Sequence, residues 1–455
     1  MFQRMLIANR GEIAVRVIRA CRELGIETVA VYSSADRNAM HVSLADYSVC
    51  IGPASASASY LNIPNVISAA VNSGADAVHP GAGFLAENAF FAEICDQYDL
   101  AYIGPTPQVL EIAGDKSNAV RAARDAGVPT LPTSSRCLVD LQTARSELQE
   151  LGLPAMLKAT AGGGGRGLRR ILNPRDLVRE FTRAQAEARA SFSNPDLYLE
   201  RLLLGVRHIE VQILGDGRDV ISLGERDCSI QRRHQKLIEE SPAPRLGTRI
   251  RKRMAESAIK LARKLRYQNA GTVEFLLDNN ENYYFLELNA RIQVEHPVTE
   301  MVTGIDIVKE QISLAAGNKL GISQKAVKIV GHAIECRIVA ENPDQDWSPS
   351  TGLITELRLP GGPGVRVDTH MNMGYEVTSH YDSLLAKVIC WGEDRNQALE
   401  TSARALSEMC VEGLPTNLPY LLRVLKSDEF IDADITLESA LGEAPFTGLT
   451  PSYQG

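Results

Sequence analysis

The stretch MLIANRGEIAVRVIRACRELGIETVAVYS, residues 5–33, reads as a buried strand, an amphipathic helix and a second buried strand. Within the helical part, Ile13, Val17 and Cys21 recur on one face. Gly25 follows at the point where a helix commonly ends in left-handed backbone. The same rhythm continues over the first hundred or so residues. Such a strand–helix–strand repeat predicts an α/β fold with a parallel sheet.

Length and composition restrict the class of protein. The chain has 455 residues, of which 44% are hydrophobic and 23% charged, as expected for a folded protein of roughly two to four domains. A net charge of −8 argues against a nucleic-acid binder, whose surface would be basic. The eight cysteines include no Cys-x-x-Cys pair, so we expect neither a zinc site nor a disulfide framework. Reduced thiols favour a cytoplasmic protein.

Two features argue against secretion and membrane insertion. The N-terminus leads directly into the first predicted strand, without the basic and apolar regions of a signal peptide. Residues 47–75 carry no charge, but two prolines and six serines make them too polar for a membrane span. We therefore expect a protein with no membrane association.

Beyond the first domain the pattern changes. A helix is expected at residues 116–126, followed by a boundary at the proline-marked stretch 128–133. From His208 onward, strands such as RHIEVQIL and GTVEFLLD indicate an antiparallel sheet. From about residue 330 the strands AIECRIVA and LLAKVIC are joined by a helix near 396–409. No Gly-x-Gly-x-x-Gly follows the first strand, so the dinucleotide-binding fingerprint is missing.

A glycine cluster, Gly162, Gly163, Gly164 and Gly165, lies between the predicted strands PAMLK and LRRIL. A hairpin loop of this kind is flexible, and its backbone N–H groups can surround phosphates. It is not a P-loop, because no Lys-Ser or Lys-Thr follows the last glycine. Taken alone, such a cluster is more often a mobile surface loop than a phosphate-binding one.

The segment ELNARIQVE, residues 287–295, has a polar residue at every second position. In an extended chain these side chains would share one face of a strand. That face is either a functional surface or a solvated edge. The polar residues are Glu287, Asn289, Arg291, Gln293 and Glu295.

The preceding strand favours a functional surface. A two-residue turn at Asn280 and Glu281 would place Glu274 directly opposite Glu287. Opposed carboxylates repel each other unless a cation lies between them. With Asn289 beside them, their oxygens suit Mg²⁺ bridging the phosphates of a nucleotide. A register shift of one residue would remove this pairing.

Two further features are ambiguous by themselves. The run ERDCSIQRRHQK, residues 225–236, is rich in basic residues, but such a run is usually a solvated face with a few ion pairs. His208 is more often a structural histidine than a ligand contact.

Several motifs together resemble the biotin carboxylase subunit of acetyl-CoA carboxylase and its relatives. They occur in family order over nearly the whole chain and are IANRGEIAVR, HPGAGFLAEN, KATAGGGGRG, ERDCSIQRRHQK, ELNARIQVEHPVTEM and GHAIECR. The resemblance implies an ATP-grasp fold with mixed α/β and α+β parts. We expect a Rossmann-like parallel-sheet domain at 1–113, an ATP-grasp core at 114–322 with a glycine-rich lid at about 130–203, and a mixed α+β domain at 330–446.

The resemblance also implies a reaction and a set of ATP contacts. In that family MgATP and bicarbonate form carboxyphosphate, and biotin on a carrier protein is carboxylated. The residues matching the family's ATP contacts are Lys116, Lys158, Gly162 to Gly165, Glu200, Leu203, His208, Gln231, His234, Glu274, Leu276 and Glu287.

The remaining implied roles concern the metal, bicarbonate and biotin. Glu274, Glu287 and Asn289 would hold Mg²⁺ or Mn²⁺. Glu295 would be the general base and Arg337 would stabilise the biotin enolate oxygen. The residues matching the bicarbonate site are Lys236, Arg291, Gln293, Val294 and Glu295, and those near biotin are Arg337 and Ala82.

Three positions depart from the family pattern, and the mildest change is Arg201, where a lysine is common beside the adenine pocket. Ala82 stands where the family has a tyrosine near the biotin ring. Because less apolar surface is buried there, we expect biotin to bind more weakly by about 1–3 kcal/mol. Pro363 stands where an aromatic residue is typical, whereas Arg19, Glu23 and Arg366 match the family's dimer interface. The resemblance therefore implies a homodimer.

The resemblance implies separate partner chains, because no Ala-Met-Lys-Met biotinylation sequence is present. These would be a biotin carboxyl carrier protein and carboxyltransferase subunits, in fatty acid synthesis. Two alternatives stay open. Another ATP-grasp ligase, acting through an acyl-phosphate on an amine, would not need the bicarbonate residues and Arg337 together. A non-catalytic paralogue, suggested only by Ala82, would bind MgATP without bicarbonate-dependent turnover.

Overall fold

The structure is a computed structural model that describes residues 1–160, 168–192 and 195–440. The predicted glycine lid residues Gly162 to Gly165 lie outside the described residues, as does the end of the expected C-terminal domain. The strands are β1 Arg4–Ile7, β2 Glu27–Ser33, β3 Tyr47–Gly52, β4 Ala77–His79, β5 Ala101–Tyr102, β6 Ala155–Ala159, β7 Leu168–Ile171, β8 Leu197–Arg201, β9 Arg207–Asp216, β10 Val220–Arg232, β11 Gln235–Ser241, β12 Gln268–Leu277, β13 Tyr283–Asn289, β14 His332–Val339, β15 Glu341–Asn342, β16 Ser348–Pro349, β17 Gly352–Leu353, β18 Glu356–Arg358, β19 Val365–Thr369, β20 Glu376–Val377, β21 Leu384–Gly392 and β22 Cys410–Glu412. The α-helices are α1 Gly11–Glu23, α2 Met40–Leu44, α3 Ile63–Ser73, α4 Ala89–Gln97, α5 Pro107–Gly114, α6 Lys116–Asp125, α7 Leu141–Leu151, α8 Leu177–Phe192, α9 Thr248–Lys264, α10 His296–Thr303, α11 Ile307–Ala315, α12 Arg395–Glu408, α13 Leu418–Leu425, α14 Asp428–Ile431 and α15 Leu437–Ala440.

The N-terminal part forms a five-stranded sheet in the order β3-β2-β1-β4-β5. All its strand pairs are parallel, which confirms the α/β prediction. Helix α1 ends as expected, with Gly25 at φ +71° and its N–H donating to the Arg22 carbonyl oxygen. The loops that follow β1 and β4 meet at one edge of the sheet, because Asn9 Nδ2 donates to the carbonyl oxygens of Pro80 (2.7 Å) and Ala82 (2.9 Å). Ligands of open α/β sheets bind at this carboxyl edge.

A second, eight-stranded sheet has the order β13-β12-β9-β10-β11-β14-β21-β19. Its described pairs are antiparallel, as the alternating patterns predict. One face of β9 packs Ile209, Val211 and Ile213 in the same core as α9. The other face carries polar residues that are also buried, Glu210 among them. This polar face is the wall of a cavity.

The eight-stranded sheet runs across the expected boundary near residue 330. Strand β11 pairs with β14, with Ile238 opposite Cys336 and Glu239 opposite Glu335. Strands β21 and β19 continue the ladder beyond β14. Strands β14, β21 and β19 therefore extend the sheet of the preceding part of the chain, whereas β15–β16, β17–β20 and β18–β22 form three small two-stranded sheets.

A three-stranded sheet, β7-β6-β8, lies beside the cavity. Strands β6 and β7 form an antiparallel pair with Lys158 opposite Leu168. The described ends of this hairpin thus flank the glycine segment, as predicted. Helices α7 and α8 contact β8 and β6, respectively, on the apolar side of the sheet.

The β12–β13 hairpin has the predicted carboxylate pair but not the predicted turn. Glu274 lies opposite Glu287, which confirms the pairing. Nearer the turn, however, Leu277 lies opposite Tyr283, which is one residue away from the expected register. A β-bulge between Glu274 and Phe275 then brings the strands back to the expected register, with Glu274 opposite Glu287. The premise of a two-residue turn was wrong: the Asp278 N–H bonds to the Asn282 carbonyl oxygen, leaving three residues between them. A bulge adds one residue to one strand and so shifts the register.

The strand predicted to run to Glu295 stops earlier. Strand β13 ends at Asn289, and residues 290–295 form a loop that leads into α10. Pro297 lies in the first turn of α10 and marks where the helix begins. Proline favours the start of a helix and cannot donate to a strand ladder. Arg291, Gln293 and Glu295 therefore do not share a strand face with Glu287.

Among the described residues, no helix is both long and apolar enough to cross a lipid bilayer. All eight cysteines are free thiols.

Candidate active site

A cavity of about 810 Å³ lies between the carboxyl edge of the parallel sheet, the polar face of the large sheet and the β6–β8 sheet. Every candidate residue that falls in the described part of the chain lines it. They are Ala82, Lys116, Lys158, Glu200, Leu203, His208, Gln231, His234, Lys236, Glu274, Leu276, Glu287, Asn289, Arg291, Gln293, Val294, Glu295 and Arg337. Residues far apart in sequence thus meet at one site.

The candidate metal ligands lie together at the end of the β12–β13 hairpin. Asn289 Nδ2 donates to Glu274 Oε1 (2.9 Å) and to Glu287 Oε1 (3.2 Å). Burial and then the charge of Glu274 raise the pKa of Glu287. Two carboxylates and an amide thus converge at one point, and carboxylate and amide oxygens are the ligands that a hard cation prefers.

Lys236 on β11 contacts three carboxylates at once. Its Nζ lies 2.6 Å from Glu210 Oε2, 2.9 Å from Glu274 Oε1 and 2.6 Å from Glu295 Oε1. Burial alone would lower the pKa of this ammonium, but the three carboxylates raise it well above its usual value. Lys236 is therefore a fixed positive charge at the centre of the site.

Glu295 is held between two cations. Its Oε1 accepts from Lys236, and its Oε2 accepts from Arg337 Nη2 at 2.9 Å. Burial would raise the pKa of Glu295, but Lys236 and Arg337 hold it well below its usual value. Glu239 in turn accepts from Arg337 Nε at 2.6 Å, and burial raises the pKa of Glu239 to about 7. Glu295 is therefore an ionised carboxylate with two cationic partners.

Arg291 is fixed by three neighbours. Its Nε donates to Glu87 Oε2 (2.9 Å), its Nη1 to Gln293 Oε1 (2.8 Å) and its Nη2 to Asn289 Oδ1 (3.3 Å). Gln293 Nε2 donates to Glu274 Oε1 at 3.1 Å. The loop after β13 therefore brings its polar residues to the metal candidates without being a strand.

The other end of the cavity carries lysines and histidines. Lys158 pairs with Glu200, and burial lowers the pKa of Lys116. His208 Nδ1 accepts from Gln231 Nε2 at 2.7 Å, since an amide nitrogen only donates. Its other nitrogen, Nε2, therefore carries the proton and lies 2.7 Å from Glu274 Oε2. His208, which sequence alone left ambiguous, is thus part of the site.

Two residues of the site were missed by the sequence analysis. Arg226 is fully buried and pairs with Glu210, which also contacts Lys236. In the sequence, Arg226 belongs to a basic run typical of a solvated face. Glu210 could have been found, because His208, Glu210 and Gln212 alternate in RHIEVQ and so share one face of β9.

Ala82 lies in the loop after β4, between two glycines with φ near +65° and +72°. Its carbonyl oxygen accepts from Asn9. The same part of the cavity is lined by Phe84 and Tyr381, whose rings lie 6.4 Å apart. The loop is therefore held by backbone contacts that do not depend on the side chain at position 82.

Comparisons with known proteins agree with this geometry. Three family models match: "Biotin carboxylase, N-terminal domain" at residues 1–110, "Carbamoyl-phosphate synthase L chain, ATP binding domain" at 115–323 and "Biotin carboxylase C-terminal domain" at 335–439. A biotin carboxylase of Nostoc sp. is 51% identical over 96% of this chain and 98% of its own length. A pyruvate carboxylase subunit of Methanothermobacter thermautotrophicus is 48% identical over 94% of this chain and 88% of its own length.

A solved structure shows the same fold. The biotin carboxylase domain dimer of the 2-oxoglutarate carboxylase of Hydrogenobacter thermophilus, in complex with MgADP, ADP and bicarbonate, superposes with a TM-score of 0.93. It is 46% identical in sequence, and the match covers 96% of this chain and 97% of that one. The chain belongs to the biotin carboxylase family of ATP-grasp ligases, enzymes that carboxylate biotin in an ATP-dependent reaction.

Proposed function

We propose that this chain uses MgATP and bicarbonate to carboxylate biotin on a separate carrier protein, as the first half-reaction of acetyl-CoA carboxylase in fatty acid synthesis. The observation that carries the proposal is the position of Glu295, a buried carboxylate between Lys236 and Arg337 in the cavity that also holds the metal candidates. A base, an anion site and a nucleotide-metal site in one cavity suit the attack of bicarbonate on a phosphate.

Mg²⁺ fits the oxygens of Glu274, Glu287 and Asn289, and a bound ion would neutralise charge on the nucleotide phosphates. Lys116, Lys158 and His234 lie on the same wall and add positive charge or donors. Leu203 and Leu276 supply apolar lining. We infer that ATP lies along this wall with its phosphates toward Glu274.

Bicarbonate is a negative nucleophile that must approach a negative phosphate. Arg291 and Lys236 supply the fixed positive charge that offsets this repulsion. Glu295 is a weak base while both cations contact it. We infer that an incoming bicarbonate draws Lys236 toward itself, so that Glu295 becomes basic enough to accept the bicarbonate proton. The bicarbonate oxygen then attacks the terminal phosphorus of ATP, giving ADP and carboxyphosphate.

Arg337 is the proposed partner of the biotin ureido oxygen. Its Nε donates to Glu239 Oε1, and this contact orients the guanidinium before biotin binds. In the proposed second step carboxyphosphate breaks into carbon dioxide and phosphate, and the phosphate removes the ureido proton of biotin. Arg337 stabilises the charge that develops on the ureido oxygen, and the deprotonated ureido nitrogen then attacks carbon dioxide to form carboxybiotin.

The proposed partners are a biotin carboxyl carrier protein, carboxyltransferase subunits and a second copy of this chain, in the cytoplasm. Support for the dimer comes from the Hydrogenobacter domain, which is named as a dimer. We also propose a division into three domains, at 1–113, 114–322 and 330–446. Strands of the second and third of these belong to one continuous sheet. In this proposal the transferase chooses the carboxyl acceptor, and a relative named as a pyruvate carboxylase subunit is consistent with different acceptors.

The proposed function is tested by ADP release from MgATP with and without bicarbonate and free biotin. We expect release to depend on bicarbonate and to rise with biotin. Release that is independent of bicarbonate, but stimulated by an amine acceptor, would instead indicate an acyl-phosphate ligase. Nucleotide binding without any turnover would indicate a non-catalytic relative.

The Ala82→Tyr variant is expected to lower the KM for free biotin. An aromatic ring there would bury apolar surface against biotin and strengthen its binding by about 1–3 kcal/mol. This corresponds to a KM for biotin that is roughly fivefold to hundredfold lower. The KM for ATP should stay constant, because the loop backbone is held by Asn9. Initial rates at varied biotin check this, and an unchanged biotin KM would show that position 82 does not border biotin.

The Glu274→Ala variant is expected to weaken metal binding. Loss of one charged ligand should raise the Mn²⁺ concentration needed for half-maximal turnover by roughly tenfold or more. Titration with Mn²⁺ in the presence of ADP, followed by electron paramagnetic resonance, measures binding without turnover. Glu376→Ala, at an exposed carboxylate, is the control, and equal Mn²⁺ affinity of the two variants would contradict the assignment.

A further inference from the structure

The peptide groups on either side of Val294 are each held by a buried side chain. Val294 lines the cavity, and in the described part of the chain no protein group accepts a hydrogen bond from its N–H. Its two flanking peptide groups are the one joining Gln293 to Val294 and the one joining Val294 to Glu295. The orientation of the first group determines where the Val294 N–H points.

His296 holds the first of these groups. Its Nδ1 lies 2.7 Å from the Gln293 carbonyl oxygen. Because a carbonyl oxygen only accepts, Nδ1 must carry the proton. The ring is fully buried, and burial, together with Lys387 and Arg16, keeps the pKa of His296 well below its usual value. It is therefore a neutral donor fixed in one tautomer.

The geometry of a trans peptide makes this contact directional. In a trans peptide the C=O and N–H bonds point in opposite directions, and the 293–294 bond is not among the cis peptides of the chain. With the Gln293 oxygen turned toward His296, the Val294 N–H is turned away from it. His296 thereby orients a donor that it does not touch.

Lys387 holds the second peptide group. Its Nζ donates to the Val294 carbonyl oxygen at 2.8 Å and lies 3.0 Å from Glu12 Oε2 and 3.9 Å from Asp368 Oδ2. The side chain is fully buried. These contacts join β21, α1 and β19 to the loop after β13. An ammonium in such a place is costly unless its N–H groups are partnered, and the Val294 carbonyl oxygen is one of the partners that hold it.

We propose that His296 and Lys387 are positioning residues that fix the two peptide groups flanking Val294, so that the Val294 N–H faces bicarbonate. The inference rests on the proposed function, because it assumes that bicarbonate binds beside Val294. Neither side chain touches the substrate. Both act by preventing rotation of the loop that carries the donor.

The test compares two substitutions of His296. His296→Asn keeps a side-chain N–H close to the position of Nδ1, whereas His296→Leu keeps the bulk and removes the donor. We expect His296→Leu to raise the KM for bicarbonate roughly tenfold to hundredfold, the value of one hydrogen bond to a charged group. The KM for ATP should change less than twofold, and His296→Asn should recover most of the loss.

A matched control separates positioning from stability. His41 is also fully buried and contacts a backbone carbonyl, that of Val31, through Nε2. His41→Leu should lower the melting temperature as His296→Leu does, without changing the KM for bicarbonate. Lys387→Met is the second variant, and it should raise the same KM as His296→Leu while leaving MgADP affinity unchanged.

The outcomes separate the two proposals. If the unmodified enzyme shows no bicarbonate-dependent ADP release, the proposed function fails. If it does show such release, but His296→Leu and His296→Asn have the same KM for bicarbonate, the positioning role is wrong. The role is also wrong if folded His296→Leu and Lys387→Met lower kcat and raise the KM values for ATP and bicarbonate alike. If His296→Leu does not fold, the comparison of His296→Asn with Lys387→Met decides in the same way.

Discussion

Replacement of Glu295 by glutamine is expected to reduce bicarbonate-dependent ADP release by ~10²- to 10⁴-fold, the usual contribution of a general base. Glutamine has the same shape and can still accept from Lys236 through its amide oxygen, but it cannot take up a proton. The melting temperature should change little, because Lys236 keeps Glu210 and Glu274 as partners and Arg337 keeps Glu239. The measurement is the steady-state rate at saturating MgATP and bicarbonate.

The control for this variant is Glu376→Gln, at an exposed carboxylate outside the cavity. MgADP binding should be equal in both variants. A Glu295→Gln enzyme with more than a tenth of the normal rate would assign proton transfer to another group. An enzyme that has lost MgADP binding as well would show that Glu295 acts on the nucleotide site as a whole.

Replacement of Arg226 by methionine is expected to lower the free energy of unfolding by about 3–5 kcal/mol, because it removes one partner of a buried ion pair. Arg226 donates to Glu210, Gln212 (2.8 Å), Thr299 (2.9 Å) and Thr272 (3.2 Å). Without it, Glu210 keeps only Lys236 as a cationic partner. The measurement is urea unfolding followed by circular dichroism.

Arg218→Met is the matched control, since Arg218 lies exposed in the turn of the same β9–β10 pair. Its unfolding free energy should change by less than about 0.5 kcal/mol. The double variant Glu210→Leu with Arg226→Met should recover part of the loss, because no unpaired charge is left buried. A single Arg226→Met variant as stable as Arg218→Met would mean that Glu210 is neutral in the folded protein.

The parallel sheet could be predicted because its signal is local. Buried strands such as MLIA and the helix around Val17 carry their own periodicity, and the resulting strand–helix–strand order leaves few topologies. The carboxylate pair of Glu274 and Glu287 is a different case. Its prediction was confirmed although the assumed turn was wrong, because a bulge changed the register by one residue at the right place.

The extent of β13 could not be read from alternation. The pattern of polar residues continues to Glu295, but the ladder stops at Asn289 and the chain then runs as a loop into α10. The polar side chains still converge, since Gln293 contacts Glu274 and Glu295 contacts Lys236 from the loop. Alternation therefore identified residues that do meet in the cavity. The reason it gave, a shared strand face, does not hold beyond Asn289, where the strand ends.

Glu210 and Arg226 were missed because burial of a charged pair has no local signature. A basic run looks solvated when read alone, and only the pairing of β9 with β10 shows that Arg226 faces Glu210. Such contacts depend on which strands pair, and strand pairing joins residues that are distant in sequence. It therefore cannot be read from a short stretch of sequence.

The continuous sheet across residue 330 has a consequence for exchanging parts between related enzymes. Lys236 on β11 and Arg337 on β14 sit on paired strands, and both contact Glu295. A chimera joined between residues 323 and 335 would cut the sequence where two family models meet, yet it would pair a β11 and a β14 of different origin. The facing side chains of β11 and β14 would have to be exchanged together. The part that can be exchanged intact is therefore a pair of strands and not a continuous stretch of sequence.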